Sequence, residues 1–292
     1  MNTVATLLSD LIEDVSTRPG QHARNHEAYV GWETTLRAAV KTSRFAAVEE
    51  ATEVLGPFGE VTLPYCRMGA VDSLDLFGLD ELIIFSYYWA NRNRYRRAAD
   101  IGANLGLHSI LMGKCGWAVR AYEPDPVHAA LLRRNLTLNR SDSVELVEAA
   151  VSDKAGTVEF VRVLGNTTSS HLAGAKPNAY GQLERFPVQV VSIASILPSV
   201  DFVKMDAEGQ ERVIILGTTA EHWPSADMMV EVGTPENAAD IFRHLRKLGL
   251  HAFAQKLGWA EVSSVVDMPS NYKEGSLFIS RNSRMNWSES VS

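Results

Sequence analysis

The stretch AADIGANLGLHS, residues Ala98 to Ser109, decides how the rest of the chain is read. A short apolar run ends in an aspartate, a glycine-spaced turn follows, and a helical pattern opens at Leu107. In dinucleotide-binding folds, a strand–turn–helix of this kind carries G-x-G-x-x-G and presents its free helix N–H groups to a pyrophosphate. Here the order is Gly102, Asn104, Gly106. Gly102 permits a tight turn and close backbone approach, and Gly106 lets the helix pack near the strand. Asn104 brings a side chain to the place where a bare glycine would admit a pyrophosphate. Asp100, at the strand end, would repel a phosphate but can pair with an α-amino group.

Glu123 ends the next apolar run, in AYEPDP, 23 positions after Asp100. An acid at about 20 residues from the first strand can hydrogen-bond ribose hydroxyls. A nucleoside joined to an amino acid satisfies both carboxylates, and that is the chemistry of S-adenosylmethionine. A bare structural turn would account for the glycines but not for the two acids.

Outward from this motif, short apolar runs alternate with helical patterns. Strands are expected at Ala98–Ile101, Ala118–Tyr122, Val144–Val151, Phe202–Met205, Met228–Val232, His251–Phe253 and Leu277–Ser280. Helices are expected from Leu107, from Pro126, near Gln210–Leu216 and near Asn237–Leu248. This alternation predicts an α/β fold with a mostly parallel sheet and an antiparallel edge strand. Residues 1–58 have helical periodicity broken by TRPG at Thr17–Gly20, and are read as an N-terminal helical cap. The sheet domain then runs over 59–282, and 283–292 is a polar tail expected to fray. Residues 162–187 are rich in Gly, Ser, Thr, Asn and Pro, and are read as an irregular substrate loop.

The 292 residues carry a net charge of −7, which gives no field favouring nucleic acid or an anionic membrane. Two cysteines, Cys66 and Cys115, are too few and too far apart for a disulfide framework or zinc site, and fit a reducing, cytoplasmic setting. The longest apolar run, Leu82–Ala90, is too short to span a bilayer.

Four segments in order, DIGANLGLHS, AYEPDPVHAALLRRNLTLN, EAAVSDKAG and DFVKMDAEGQERVIILG, resemble the FkbM family of S-adenosylmethionine-dependent methyltransferases. The resemblance implies a class I Rossmann-like fold. It places Asp100, Gly102, Asn104 and Gly106 at the methionine part of the cofactor, Glu123 with the adjoining Pro124 at the ribose, and Ser152 and Asp153 at the adenine. It puts Asp206, Glu208 and Gly209 at the mouth of the fourth strand, near the methyl group. One departure is visible: Ala194 stands where relatives often carry an aspartate ahead of that strand.

An alcohol acceptor needs help losing its proton, and the candidates lie at strand ends. They are Asp206, Glu231 in MMVEVG, and His171 in the irregular loop, whose imidazole would titrate near neutral pH if the loop closes. Asp206, Glu208 and Glu231 could together form an all-oxygen Mg²⁺ or Ca²⁺ site, but nothing in their spacing demands one and metal-free catalysis is preferred. His108 is expected to pack, and the basic run NRNRYRR at Asn91–Arg97 to sit at a helix C-terminus rather than grip an anionic acceptor or a carrier's phosphopantetheine. The expected activity is methyl transfer to a hydroxyl of a small metabolite: a sugar, polyketide or other natural product. The alternatives are N- or carboxyl-methylation, an NAD-dependent oxidoreductase and a non-catalytic cofactor-binding protein. The N-terminal helices would cover the substrate cleft or form a homodimer interface.

Overall fold

The computed structural model describes residues 4–49, 51–175 and 181–287. Helices α1 (Val4–Thr17) and α2 (Glu27–Thr42) lead into a two-stranded ribbon, β1 (Thr52–Val54) and β2 (Glu60–Thr62). The ribbon starts inside the stretch expected to be wholly helical. Helix α3 (Leu79–Ala90) follows, with eight of its twelve residues buried. A helix apolar on all sides must be covered on all sides. Here α1 and α2 cover α3 from outside, and all three share one core with Trp117, Phe202 and Phe278 of the main body.

The central sheet then begins: β3 (Arg97–Ile101), α4 (Leu107–Lys114), β4 (Ala118–Tyr122), α5 (Pro126–Leu138) and β5 (Val144–Val147). Next come β6 (Ala150–Ser152), β7 (Gly156–Val163), β8 (His171–Leu172) and β9 (Leu183–Ser192), which form a separate four-stranded sheet in the order β6-β9-β7-β8. The chain returns through α6 (Ile193–Ile196), β10 (Phe202–Met205), α7 (Glu211–Leu216), β11 (Asp227–Glu231), α8 (Pro235–Leu248), β12 (His251–Ala254), β13 (Ala260–Glu261) and β14 (Ser276–Ser280).

The eight-stranded sheet has the order β13-β12-β14-β11-β10-β3-β4-β5. Strands β5, β4, β3, β10 and β11 are parallel. Chain order runs outward from β3 through β4 to β5, then restarts beside β3 at β10. That reversal is the topological switch point at which open α/β sheets bind ligands. The architecture is α/β with a class I Rossmann-like sheet. Alternate residues of the central strands feed opposite faces: Phe202, Met229 and Phe278 join the α1–α4 core, while Val203, Met228 and Ile279 join the core under α6–α8.

Some expectations hold and others need correction. The expected antiparallel edge is present: β13 forms the edge, antiparallel to β12, and β14 is inserted between β11 and β12, antiparallel to both. The single strand expected at Val144–Val151 is two, because the chain leaves the main sheet after Val147 and Ala150–Ser152 pairs with β9 instead. The segment 162–187 is not an irregular loop throughout. Its ends belong to β7 and β9, which pair from Gly156↔Val190 to Val163↔Leu183, and its middle contributes β8; residues 176–180 lie outside the described residues. Of the tail 283–292, residues 288–292 lie outside them too, but Trp287 is packed against His22, Tyr87 and Trp259 rather than frayed. Among the described residues no helix is long and apolar enough to cross a membrane.

Candidate active site

The ladder registers bring four predicted residues into a row. Tyr122, Ile101, Met205 and Val230 are neighbours across β4, β3, β10 and β11. The next residue on each strand is Glu123, Gly102, Asp206 and Glu231, so these stand side by side along the C-terminal lip of the sheet. Two clefts open on this lip. The first is lined by Gly102, Asn104, Glu123, Pro124, Asp206 and Glu208, with Tyr122, Val151 and Gln210 below them. The second is lined by Glu231 and by residues of α2 and α3 and the turn before α3. Asp72 and Asp75 line both.

In the first cleft, Asn104 adopts a left-handed backbone, φ 51°, which an asparagine tolerates better than most residues. Its backbone N–H donates to Glu123 Oε2 (2.8 Å), and the Asp125 N–H donates to Glu123 Oε1 (2.8 Å). One carboxylate thereby clips the glycine loop to the β4–α5 turn. Burial pushes the Glu123 carboxyl up to about 8 against the pull of those two donors. A ribose diol donates better to a carboxylate than to a neutral carboxyl. S-adenosylhomocysteine is therefore expected to bind severalfold more tightly at pH 8 than at pH 6.5 and to release a proton on binding. Calorimetry in buffers of different ionisation enthalpy reads both, and pH-independent binding would refute this role for Glu123.

The second sheet roofs this cleft. Phe160, Leu172, Thr167, Thr168 and His171 face it, opposite Met68 and Val71 of the turn before α3. Arg162 of β7 anchors the roof with a bidentate grip on Asp125 (2.6 and 2.7 Å), a bond to Glu184 (2.7 Å) and a stacked contact over Phe186 (4.7 Å). The backbones also cross over, Ala70 N–H to Gly165 O and Thr167 N–H to Met68 O.

Several predicted residues sit differently from expectation. Asp100 is fully buried and does not line the cleft; its Oδ2 accepts from Ser109 Oγ (2.6 Å), while its buried Oδ1 has no hydrogen-bond partner. Gly102 is required by the protein itself, because a Cβ there would lie 1.8 Å from the Asp206 carbonyl oxygen. Gly106 makes room for Leu132 of α5 rather than for its own strand. Ser152 and Asp153 do not line the cleft: Asp153 packs against Gly217, and Ala150 and Val151 take the wall instead. His171 lies on β8 rather than in an irregular loop; it is 3% exposed, with Nδ1 2.9 Å from Ser169 O. Asp206, Glu208 and Glu231 do not converge: the first two line one cleft and Glu231 the other. Among the described residues no group of three His, Cys, Asp or Glu side chains is placed to hold a metal ion. The basic run is spent at the other end of the sheet, with Arg94 on Asp227, Arg97 on Asp201 and Arg92 over Trp89.

Sequence reading missed His128, one turn into α5, which lines the first cleft with Nε2 2.9 Å from Thr167 Oγ1. It missed Glu211, whose carboxylate accepts from the Ala207 and Gly209 N–H groups (2.8 and 3.0 Å) and so shapes the loop carrying Asp206 and Glu208. It also missed Lys204 and Glu81. Lys204 is 6% exposed in an all-buried strand, and a lysine there is itself a signal, since lysines are almost never buried unpaired. Its Nζ lies 3.7 Å from Asp206 Oδ2. Burial works against its charge, but Asp206, Asp100, Glu81 and Glu231 outweigh burial and hold it protonated.

On the floor of the second cleft, Glu81 Oε2 lies 2.9 Å from His108 Nε2, and His108 Nδ1 lies 2.8 Å from the Tyr88 hydroxyl. Burial pushes the Glu81 carboxyl up, but the imidazole overcomes it and the net shift is downward. Glu231 is pushed well above the usual carboxylate range, first by burial and then by Asp206 and Glu81, with Lys204 opposing. A carboxyl raised on folding stays protonated while the unfolded chain ionises. It therefore costs stability progressively as pH rises above its unfolded value, by about 1.4 kcal/mol per pH unit until the folded value is reached. Glu231→Gln is expected to stabilise the fold by about 1–2 kcal/mol at neutral pH, a gain that vanishes near pH 4. Urea melts at the two pH values check this, and an unchanged midpoint at neutral pH would refute the burial penalty.

Comparison with known proteins places this arrangement. The signature described as the Methyltransferase FkbM domain matches residues 100–251. Methyltransferase sdnD of Sordaria araneosa is 28% identical over 170 residues, covering 47% of this chain and 66% of that protein. Among solved structures, a precorrin-6y C5,15-methyltransferase from Geobacter metallireducens aligns at 16% identity and a TM-score of 0.37, over 67% of this chain and 84% of its own. An O-methyltransferase from Bacillus cereus in complex with SAH aligns at 11% and 0.34, over 67% and 78%. The match to the family signature runs from Asp100 at the glycine loop to the start of β12 and takes in just over half of the chain, which therefore belongs to the FkbM methyltransferase family.

Proposed function

We propose that the protein is an S-adenosylmethionine-dependent methyltransferase acting on a hydroxyl of a small metabolite. The observation that carries this reading is the row Glu123, Gly102, Asp206, Glu231, with one cleft over its first half, another over its second, and Asp206 where they meet. The first cleft suits a nucleoside joined to an amino acid. Glu123 faces it as a diol acceptor, Val151, Phe160 and Leu172 supply apolar walls for a base, and the buried Asn104 Oδ1 lacks a hydrogen-bond partner of its own. Asn104, Glu123 and Pro124 would hold the cofactor, which brings an activated methyl group.

The chain then has three tasks. It must hold an acceptor oxygen in line with that methyl, keep water out, and take the hydroxyl proton. The roof serves the second task. Asp206 and Glu231 stand where the third is needed, and His171 reaches the same cleft as Asp206 from above. S-adenosylhomocysteine is expected to raise the melting temperature where NAD does not. A screen of hydroxylated acceptors with methyl-labelled cofactor, with and without EDTA, is expected to return a methyl ether in both arms. Stabilisation by NAD alone would overturn the cofactor reading. Label found only on nitrogen or carboxylate would overturn the hydroxyl assignment.

A further inference from the structure

A lysine on a fully buried strand is an expensive choice where a leucine or methionine would pack without charge. Lys204 is buried in β10, and its ladder neighbours are Asp100 on β3 and Met229 on β11. Were the lysine present only to neutralise the buried Asp100, its ammonium would bond the free Asp100 oxygen. It does not: Asp100 Oδ2 accepts from Ser109 Oγ (2.6 Å), and Oδ1 has no hydrogen-bond partner. Glu81 of α3 pairs with His108 of α4 (2.9 Å). The Lys204 Nζ instead lies 3.7 Å from Asp206 Oδ2, and this is its one ion pair among the described residues. Residues two apart along a strand share a face, and Asp206 directly follows the end of β10, so the two side chains leave on the same side of the sheet.

Asp206 depends on that contact. Its backbone is fixed, with the N–H on Ile101 O (2.9 Å) and the carbonyl packed against Gly102. Its side chain is not: it is 36% exposed, and among the described residues its carboxylate makes the ion pair with Lys204 and accepts no hydrogen bond. Burial works against the Lys204 charge, and Asp206 leads the carboxylates that outweigh burial, ahead of Asp100, Glu81 and Glu231. We propose that Lys204 is a positioning residue for methyl transfer, its ammonium holding the Asp206 carboxylate at the junction of the two clefts. This rests on the reading of Asp206 as the group that meets the acceptor hydroxyl. The ion pair restrains side-chain torsions that would otherwise turn freely at the lip, and so keeps the carboxylate where the hydroxyl proton is released. Orientation of this kind speeds the chemical step without adding affinity for the cofactor.

The test has two arms, both on the full chain. Urea melts compare the parent with Lys204→Met, Asp206→Asn and the double variant. The midpoint shift of the double variant is expected to fall short of the sum of the single shifts, because either substitution alone breaks the pair. Kinetics use methyl-labelled S-adenosylmethionine and the hydroxylated acceptor that takes up most label. Lys204→Met is expected to lower kcat about 10- to 100-fold while the acceptor KM and the affinity for S-adenosylhomocysteine stay within about threefold of the parent. The double variant is expected to be at most about threefold slower than Asp206→Asn, since Lys204 then has no carboxylate left to place. Should Lys204→Met fail to fold, Lys204→Gln replaces it in both arms. Additive urea shifts, an unchanged kcat, or losses that multiply in the double variant would overturn the proposal. If no acceptor is methylated but the urea shifts are non-additive, the functional reading fails and the pairing of Lys204 with Asp206 stands. If an acceptor is methylated and the losses multiply, the functional reading stands and this one fails.

Discussion

Replacing Asp206 with alanine is expected to lower turnover about 10²- to 10³-fold while S-adenosylhomocysteine binds within about threefold of the parent. The asymmetry follows from position. Asp206 follows the last residue of β10, the strand at the switch point, and lines the first cleft beside Glu208 while standing next to Glu231. The groups that face a nucleoside are Glu123, Asn104 and the roof, and none of them bonds to the Asp206 side chain. The variant therefore leaves cofactor recognition in place and removes an oxygen from the junction where the acceptor hydroxyl must lie. It also removes the carboxylate nearest the Lys204 Nζ, leaving that buried cation to Asp100, Glu81 and Glu231. Asp206→Asn keeps the shape and loses the charge, so a similar fall in kcat assigns the effect to the carboxylate. Full turnover by Asp206→Ala with any acceptor from the screen would remove Asp206 from the chemistry.

The glycine loop and the acid 23 positions later were legible because they obey local spacing, and local spacing is what a sequence displays. The central strands were legible for the same reason: buried parallel strands write continuous apolar runs. The second sheet was not. Strands β7 and β9 are joined by a long glycine- and serine-rich excursion, and only the pairing of Gly156 with Val190 and of Val163 with Leu183 makes them a ribbon. Pairing across such a separation leaves no periodic trace. Nor did the sequence show which way the strand-end acids face. Glu231 and Glu208 look equivalent in one dimension, yet one strand's width puts them in different clefts. Glu81 was hidden in an apolar helix, where its charge reads as an ordinary first-turn acid until His108 of the next helix is placed against it.

Gly102→Ala is expected to destabilise the fold by about 3–5 kcal/mol, the largest stability effect of any single methyl added to the glycine loop. Two costs add. The residue has φ 78°, in the left-handed region that costs an L-residue roughly 1–2 kcal/mol. The new Cβ would also lie 1.8 Å from the Asp206 carbonyl oxygen, which belongs to backbone and cannot rotate away. The Asp206 N–H is held by Ile101 O (2.9 Å), and the Gly102 and Ala103 N–H groups both donate to Tyr122 O (3.0 Å). Three strand ends are thus sewn together at this point, and relief requires parting β3 from β10 at the lip. Gly116→Ala separates the two costs: φ is 84°, but nothing lies within 4 Å of the added Cβ. It is expected to lose only the conformational part, about 1–2 kcal/mol, in the same urea melts. If Gly102→Ala loses no more than Gly116→Ala, the contact with Asp206 yields easily, and the glycine would owe its place to a close approach by a ligand. If it loses the larger amount, the glycine holds two cofactor-facing loops in register, and the loop's spelling reflects a demand of the sheet before any demand of the ligand.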